Sequence, residues 1–158
     1  MNKHFNAVEI FEIAQQIERN GMKFYTKAAK QTSSTQAQEM FETLVKVEKK
    51  HLDTYTQMQE EFKSETGEIS YDPENTSVQY LDAMARGEVF SIDEDPSEFI
   101  TDITTTQEII SKAVDLEKNS IIFYIGLKDL VQSKSGKHQI ELIIQQELGH
   151  IVFLNSQL

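Results

Sequence analysis

The chain repeats itself. Shifted by 99 residues, the two ends of the sequence align without a gap. Glu9-Ile10 falls on Glu108-Ile109, Ala14 on Ala113, Glu18 on Glu117 and Asn20 on Asn119. Phe24-Tyr25 falls on Phe123-Tyr124, Glu48 on Glu147 and His51 on His150. The stretches "VEKKHL" and "QELGHI" therefore hold equal places. A chain built this way contains two copies of one supersecondary unit, and each copy buries its apolar face against the other.

Each copy reads as two helices. Ile10, Phe11, Ala14, Ile17, Gly21, Met22 and Tyr25 recur at a helical period over residues 7–30. "QTSSTQ" interrupts them with Ser and Thr suited to capping the next helix. That helix spans residues 35–63 and carries Phe41, Leu44, Val45, Val47, Leu52, Tyr55 and Phe62. In the second copy, helices over 106–131 and 137–157 flank the turn "SKSGK". Short turns make each pair an antiparallel hairpin. The crossover, residues 64–105, holds both prolines and a short helix over roughly 77–86. A link of this length has a structural task. It is expected to run the length of the bundle, so that the second hairpin starts at the end where the first one started. The fold class expected is all-α, a four-helix bundle, with 1–158 as one domain: hairpin 7–63, crossover 64–105 and hairpin 106–157.

Composition narrows the chemistry. At 158 residues and 39% hydrophobic, the chain can bury a real core. It has no cysteine, which excludes disulfides, a zinc ribbon, an iron–sulfur cluster and a thiolate nucleophile. The net charge of −11 repels phosphate backbones, so nucleic acid is not an expected partner. "MNKHFNAVEI" lacks the apolar segment of a signal peptide. No apolar run approaches the roughly 20 residues that span a bilayer. No membrane partner is expected, and the expected location is cytoplasmic.

Helical geometry gives the repeated motifs a direction. At about 100° per residue, Phe41, Leu44, Leu52 and Tyr55 lie close to the direction of Glu48. Lys46, Lys49, Lys50 and Asp53 point away. Glu48 thus faces the interior, with His51 a little to one side. The same geometry puts Phe11, Ala14, Met22 and Tyr25 beside Glu18. It puts Ile110, Ala113, Ile121 and Tyr124 beside Glu117, and Ile140, Ile143, Ile151 and Leu154 beside Glu147. Four glutamates, one per helix, point into one apolar interior. Bare carboxylates there would be severely destabilising. They escape by taking up protons or by meeting cations. Two divalent ions would balance four carboxylates, with His51 and His150 neutral. One Glu from each of two helices, with Glu-x-x-His from each of the other two, is the carboxylate pattern of di-iron helical bundles. Oxygen and imidazole ligands suit iron or manganese, and ligand type leaves zinc open as well.

Other residues have plainer readings. Tyr25 and Tyr124 follow their glutamates by seven residues. They either hydrogen-bond the carboxylates or serve as core aromatics. His4 and His138 have no Glu three residues before them and read as solvated. Met22, Met40, Met58 and Met84 read as packing. "DEDPSE" lacks the spacing and glycine of an EF-hand and reads as a solvated loop.

With these residues in view, the sequence resembles the rubrerythrin branch of the ferritin-like family. It looks like free-standing members that lack a rubredoxin module. "IERNGMKFYTKAA", "VEKKHLDTY", "YLDAMARGEVF", "AVDLEKNSIIFY" and "IIQQELGHIVFL" carry the resemblance over nearly the whole chain. It implies a ferritin-like bundle with two iron ions as cofactor, cycling between Fe2+ and Fe3+. By that analogy Glu48 and Glu147 bridge the metals, Glu18 and Glu117 are terminal ligands, and His51 and His150 each cap one metal. It also implies an oxidoreductase that reduces hydrogen peroxide or dioxygen. With no cysteine in the chain, the electron donor is a separate protein. One departure matters: members with peroxidase activity carry a further glutamate one turn after the third-helix ligand. Here that place is Ser120, and its repeat equivalent is Gly21. Two other functions fit the same bundle, an iron-handling ferroxidase and a non-catalytic interaction module.

The outer faces of the two copies differ. The first hairpin carries Glu12, Gln16, Lys23, Lys46, Lys50 and Asp53 opposite the glutamates. The second carries Ile122, Leu142, Val152 and Phe153. Tyr80, Leu81, Met84, Val89 and Phe90 of the crossover can cover part of that apolar face. A homodimer that uses the remainder is expected.

Overall fold

The structure, a computed structural model, describes residues 7–64, 74–85 and 92–158. Among them are five α-helices and no strand: α1 Ala7–Gln31, α2 Thr35–Ser64, α3 Thr76–Ala85, α4 Thr106–Leu130 and α5 Lys134–Asn155. A 3₁₀ turn, Pro96–Phe99, lies in the crossover. Arg86, Val89, Phe90 and His4 lie outside the described residues.

Local chemistry sets the helix starts. The Ser34 hydroxyl accepts from the Ala37 amide at the head of α2. Thr105 and Glu108 form a reciprocal capping box at the head of α4, and Ser133 accepts from the Gly136 amide at the head of α5. Each such cap is worth about 1 kcal/mol. The Ser133 cap corrects the expected turn, because α5 begins at Lys134, three residues before the expected start at 137. Gly136 sits inside the first helical turn. A β-carbon there would lie 2.6 Å from Val131 Cγ1 and 2.8 Å from Ser133 Oγ, so the tight corner has room for glycine alone.

Two apolar clusters fill the bundle, and the order in which each helix meets them fixes its direction. α1 passes from Ile10 and Phe11 in the first cluster to Phe24 and Tyr25 in the second. α2 runs back from Phe41 and Leu44 to Tyr55 and Met58. α4 starts with Ile109 and Ile110 in the second cluster and ends with Tyr124 and Leu127 in the first. α5 returns from Ile140 to Leu154. The crossover does run from one cluster to the other, with Val78, Leu81 and Met84 in the first and Ile100 in the second. The second hairpin therefore starts at the end where the first one turned, not where it started. This corrects the sequence expectation. A short antiparallel hairpin returns the chain to its origin, so a link that traverses the bundle must place α4 antiparallel to α1.

The crossover packs tightly on α4. A β-carbon on Gly126 would lie 3.0 Å from Leu81 Cδ2, so the α3–α4 approach depends on that glycine. On the other side, the Asn20 amide donates to the Ile92 carbonyl at 3.0 Å. A buried amide pair, Gln15 to Gln59 at 3.0 Å, ties α1 to α2, and Gln59 donates on to the Val8 carbonyl.

Candidate metal centre

On every long helix the inward glutamate sits where the chain passes from one apolar cluster to the other. Glu18, Glu48, Glu117 and Glu147 are all buried, as are His51 and His150. The structure gathers these six side chains into two overlapping groups. Glu18, Glu48, His51 and Glu147 form one, and Glu48, Glu117, Glu147 and His150 the other. Within each group the candidate ligand atoms lie within 4.8 Å of one another. Glu48 and Glu147 belong to both.

The oxygens of Glu147 divide between the histidines. Oε1 is 3.1 Å from His51 Nδ1, and Oε2 is 2.9 Å from His150 Nδ1. Glu48 divides likewise, with Oε2 3.9 Å from His51 Nδ1 and Oε1 3.3 Å from His150 Nδ1. Glu18 faces only His51, at 3.5 Å, and Glu117 only His150, at 3.4 Å. The imidazoles stack with centroids 6.0 Å apart.

Tyr25 and Tyr124 take the first of their two readings, with a crossing. Each hydroxyl donates to the glutamate of the other copy, Tyr25 to Glu117 and Tyr124 to Glu18. Only antiparallel α1 and α4 bring position 25 level with 117 and position 124 level with 18. Burial, with the nearby glutamates, pushes both phenols well above their ordinary pKa, so they stay protonated donors. His138 is exposed, and Met40, Met58 and Met84 are buried in the apolar clusters, while Met22 is half-buried.

The electrostatics are those of a site with too little positive charge. Burial pushes Glu18 up, and burial with repulsion from Glu18 and Glu117 pushes Glu48 well up. Burial and Glu147 push Glu117 up to about 8. Burial and Glu48 also act upward on Glu147, but His150 and His51 outweigh them and hold it low. Burial disfavours charge on the imidazoles. Carboxylate contacts overcome it and push His51 up to about 11 and His150 up to about 12. Even so, Glu18 Oε2, Glu48 Oε1, both Glu147 oxygens and both Nδ1 atoms are buried without a hydrogen-bond partner. Six orphaned ligand-type atoms converging on one interior are costly unless cations meet them. All are oxygen or imidazole nitrogen, a donor set that fits iron or manganese.

A cavity of about 50 Å³ opens beside the carboxylates, lined among others by Ile17, Gly21, Glu48, Glu117, Ser120 and Pro96. A water needs about 10–15 Å³ by this measure, so the cavity admits a molecule of peroxide or dioxygen size. Gly21 and Ser120 keep it open: a β-carbon at Gly21 would lie 3.3 Å from Glu48 Oε2.

Two polar neighbours of the site carry no signal in the sequence. Gln146 Oε1 is 2.6 Å from His51 Nε2. Tyr55 is fully buried, its ring 4.9 Å from that of Tyr124. No sequence signal marked Gln146, because its partner lies on another helix. Tyr55 was visible only as an apolar-period residue.

The Rubrerythrin family model matches residues 9–158. A solved structure from Thermotoga maritima, described as a candidate ferritin-like diiron-carboxylate protein, superposes with a TM-score of 0.68 at 21% identity. The match covers 97% of this chain and 94% of that one, and it establishes a shared fold. No curated protein matches the chain at a significant level.

Proposed function

Since the chain belongs to the rubrerythrin family, we propose that it is a di-iron oxidoreductase that reduces hydrogen peroxide or dioxygen with electrons from a separate donor protein. The carrying observation is the pair of four-residue groups sharing Glu48 and Glu147. In this reading Glu48 and Glu147 would be shared by two metal ions, Glu18 and His51 would complete the set for one, and Glu117 and His150 the set for the other. Iron bound there in the ferrous state would supply the two electrons that, with two protons, reduce one peroxide to two waters. The protein holds the ligands in place. Tyr25 and Tyr124 orient the two terminal carboxylates, and the surrounding apolar clusters exclude bulk water. The cavity beside Gly21 and Ser120 provides a route for a small oxidant.

The test is anaerobic loading with ferrous iron, followed by stopped-flow mixing with peroxide. Peroxide-driven oxidation of two irons per chain supports the proposal. Iron oxidation continuing far beyond two per chain would make iron the substrate and the protein a ferroxidase. Folding and partner binding unchanged by metal removal, with no peroxide reaction, would make it an interaction module. Ser120→Glu places a carboxylate at the cavity wall and is expected to speed oxidation of the iron by peroxide. An unchanged rate would show that the missing glutamate does not limit the reaction.

Metal uptake should also release protons. At pH 7 the metal-free site holds protons on both imidazoles, at about 11 and about 12, and on Glu117, at about 8. Metal binding needs these groups deprotonated, so about three protons or more leave per chain on full loading. Affinity therefore rises with pH and falls as the medium is acidified. Calorimetric titration in buffers of different ionisation enthalpy reads the number directly. Uptake of two irons with no proton release would contradict the site as described.

A further inference from the structure

We propose that Gln146 is a positioning residue that makes the two halves of the metal centre unequal, holding the His51 imidazole for tighter metal binding. The inference rests on reading the centre as a two-metal site. His51 Nε2 lies 2.6 Å from Gln146 Oε1. A carboxamide oxygen only accepts, so Nε2 keeps its proton, and the nitrogen left to give up its proton to a metal is Nδ1, which faces inward. That nitrogen faces Glu147 at 3.1 Å and Glu18 at 3.5 Å. The contact joins α2 to α5 and so fixes the ring from outside its own helix.

Among the described residues the other half has no counterpart. The repeat equivalent of Gln146 is Val47, which carries no acceptor. His150 presents Nδ1 to Glu147, Glu48 and Glu117 in the same manner, but the matched position offers its outer nitrogen nothing. The repeat preserves all four glutamates, both histidines and both tyrosines that hold the carboxylates. It breaks at the partner of the imidazole. A second break falls in the same half: Tyr55, four residues after His51, has Leu154 as its equivalent. Its ring packs on Tyr124, the tyrosine that donates to Glu18. Both additions therefore support the position built on Glu18 and His51.

An outer hydrogen bond fixes the tautomer and orientation of a ligating histidine and raises its basicity, and losing one typically costs 10–100-fold in metal affinity. Anaerobic titration with ferrous iron should show two unequal steps. Gln146→Leu should weaken the tighter step about 10–100-fold and leave the weaker one. Val47→Gln should strengthen the weaker step, and Gln146→Glu, which keeps an acceptor, should preserve the tighter one. A metal-independent reading comes from proton NMR of the metal-free protein. A slowly exchanging His51 Nε2 proton is expected in the unmodified chain and should vanish in Gln146→Leu. The proposal is overturned if that proton is absent, or if Gln146→Leu leaves both steps unchanged or weakens them equally. Failure of the unmodified chain to take up two metals, with the proton present, overturns the two-metal reading itself.

Discussion

Replacing Glu147 by Ala is expected to empty both metal positions at once. Its two oxygens face two different imidazoles, at 3.1 and 2.9 Å, so its loss removes a ligand from each position. Glu48 has the same double role, with His51 and His150 at 3.9 and 3.3 Å from its oxygens. Glu48→Ala should therefore match it. His51→Ala and His150→Ala each remove a ligand from one group only and should weaken mainly one metal. Losing a mere outer-shell partner costs about 10–100-fold, so losing a shared ligand should exceed about 100-fold for both metals. Metal content after anaerobic loading, with circular dichroism to check the fold, separates the two classes. Equal loss of both metals from all four variants would contradict the division of roles.

The second large effect concerns association. We propose a homodimer that uses the outer face of α4 and α5. Ile122, Ile125, Leu142, Leu148, Val152 and Phe153 are exposed there, Val152 at 71%. On the first hairpin the corresponding directions carry Glu12, Lys23, Lys46, Lys50 and Asp53, all exposed. Leu81 and Met84 of α3 are buried in the first core cluster, yet those six side chains remain exposed. An apolar patch on one hairpin alone is the mark of an interface. Light scattering should give twice the 18.2 kDa chain mass. Val152→Glu with Phe153→Glu should split the pair and leave the metals in place. In a two-fold contact each change counts twice. Unpartnered buried carboxylates cost several kcal/mol each, so the two substitutions should weaken association by about three orders of magnitude or more. A monomer at high micromolar concentration would end this proposal.

Much of the architecture was legible in the sequence because the repeat doubled every local signal. One Glu-x-x-His in an acidic chain says little, but two in matched register, each with its Glu-x₆-Tyr, fix which face of each helix turns inward. Helical period carried the rest of the core, with Met22, Val45, Val47, Leu52, Phe62 and Ile151 reaching only half burial. What stayed hidden is what crosses between helices. Period says that Tyr25 and Tyr124 face inward, but not that each reaches the other copy's glutamate. That depends on the antiparallel run of α1 and α4, set by the path of the crossover. Gln146 is exposed and polar, as a surface residue should be, and only the neighbouring helix turns it into a partner for His51. The 3₁₀ turn at Pro96 is held by the Asp95 cap of the Ser97 amide at 2.9 Å and by backbone bonds from Glu98 to Asp95 and from Ile100 to Ser97, devices too local to stand out in an acidic loop.

The most direct measurement is anomalous diffraction at the iron edge from crystals loaded anaerobically with ferrous iron. The account predicts two peaks in the bundle interior, both between Glu48 and Glu147, one next to His51 and the other next to His150. A single peak, or iron found only on surface carboxylates, would contradict it.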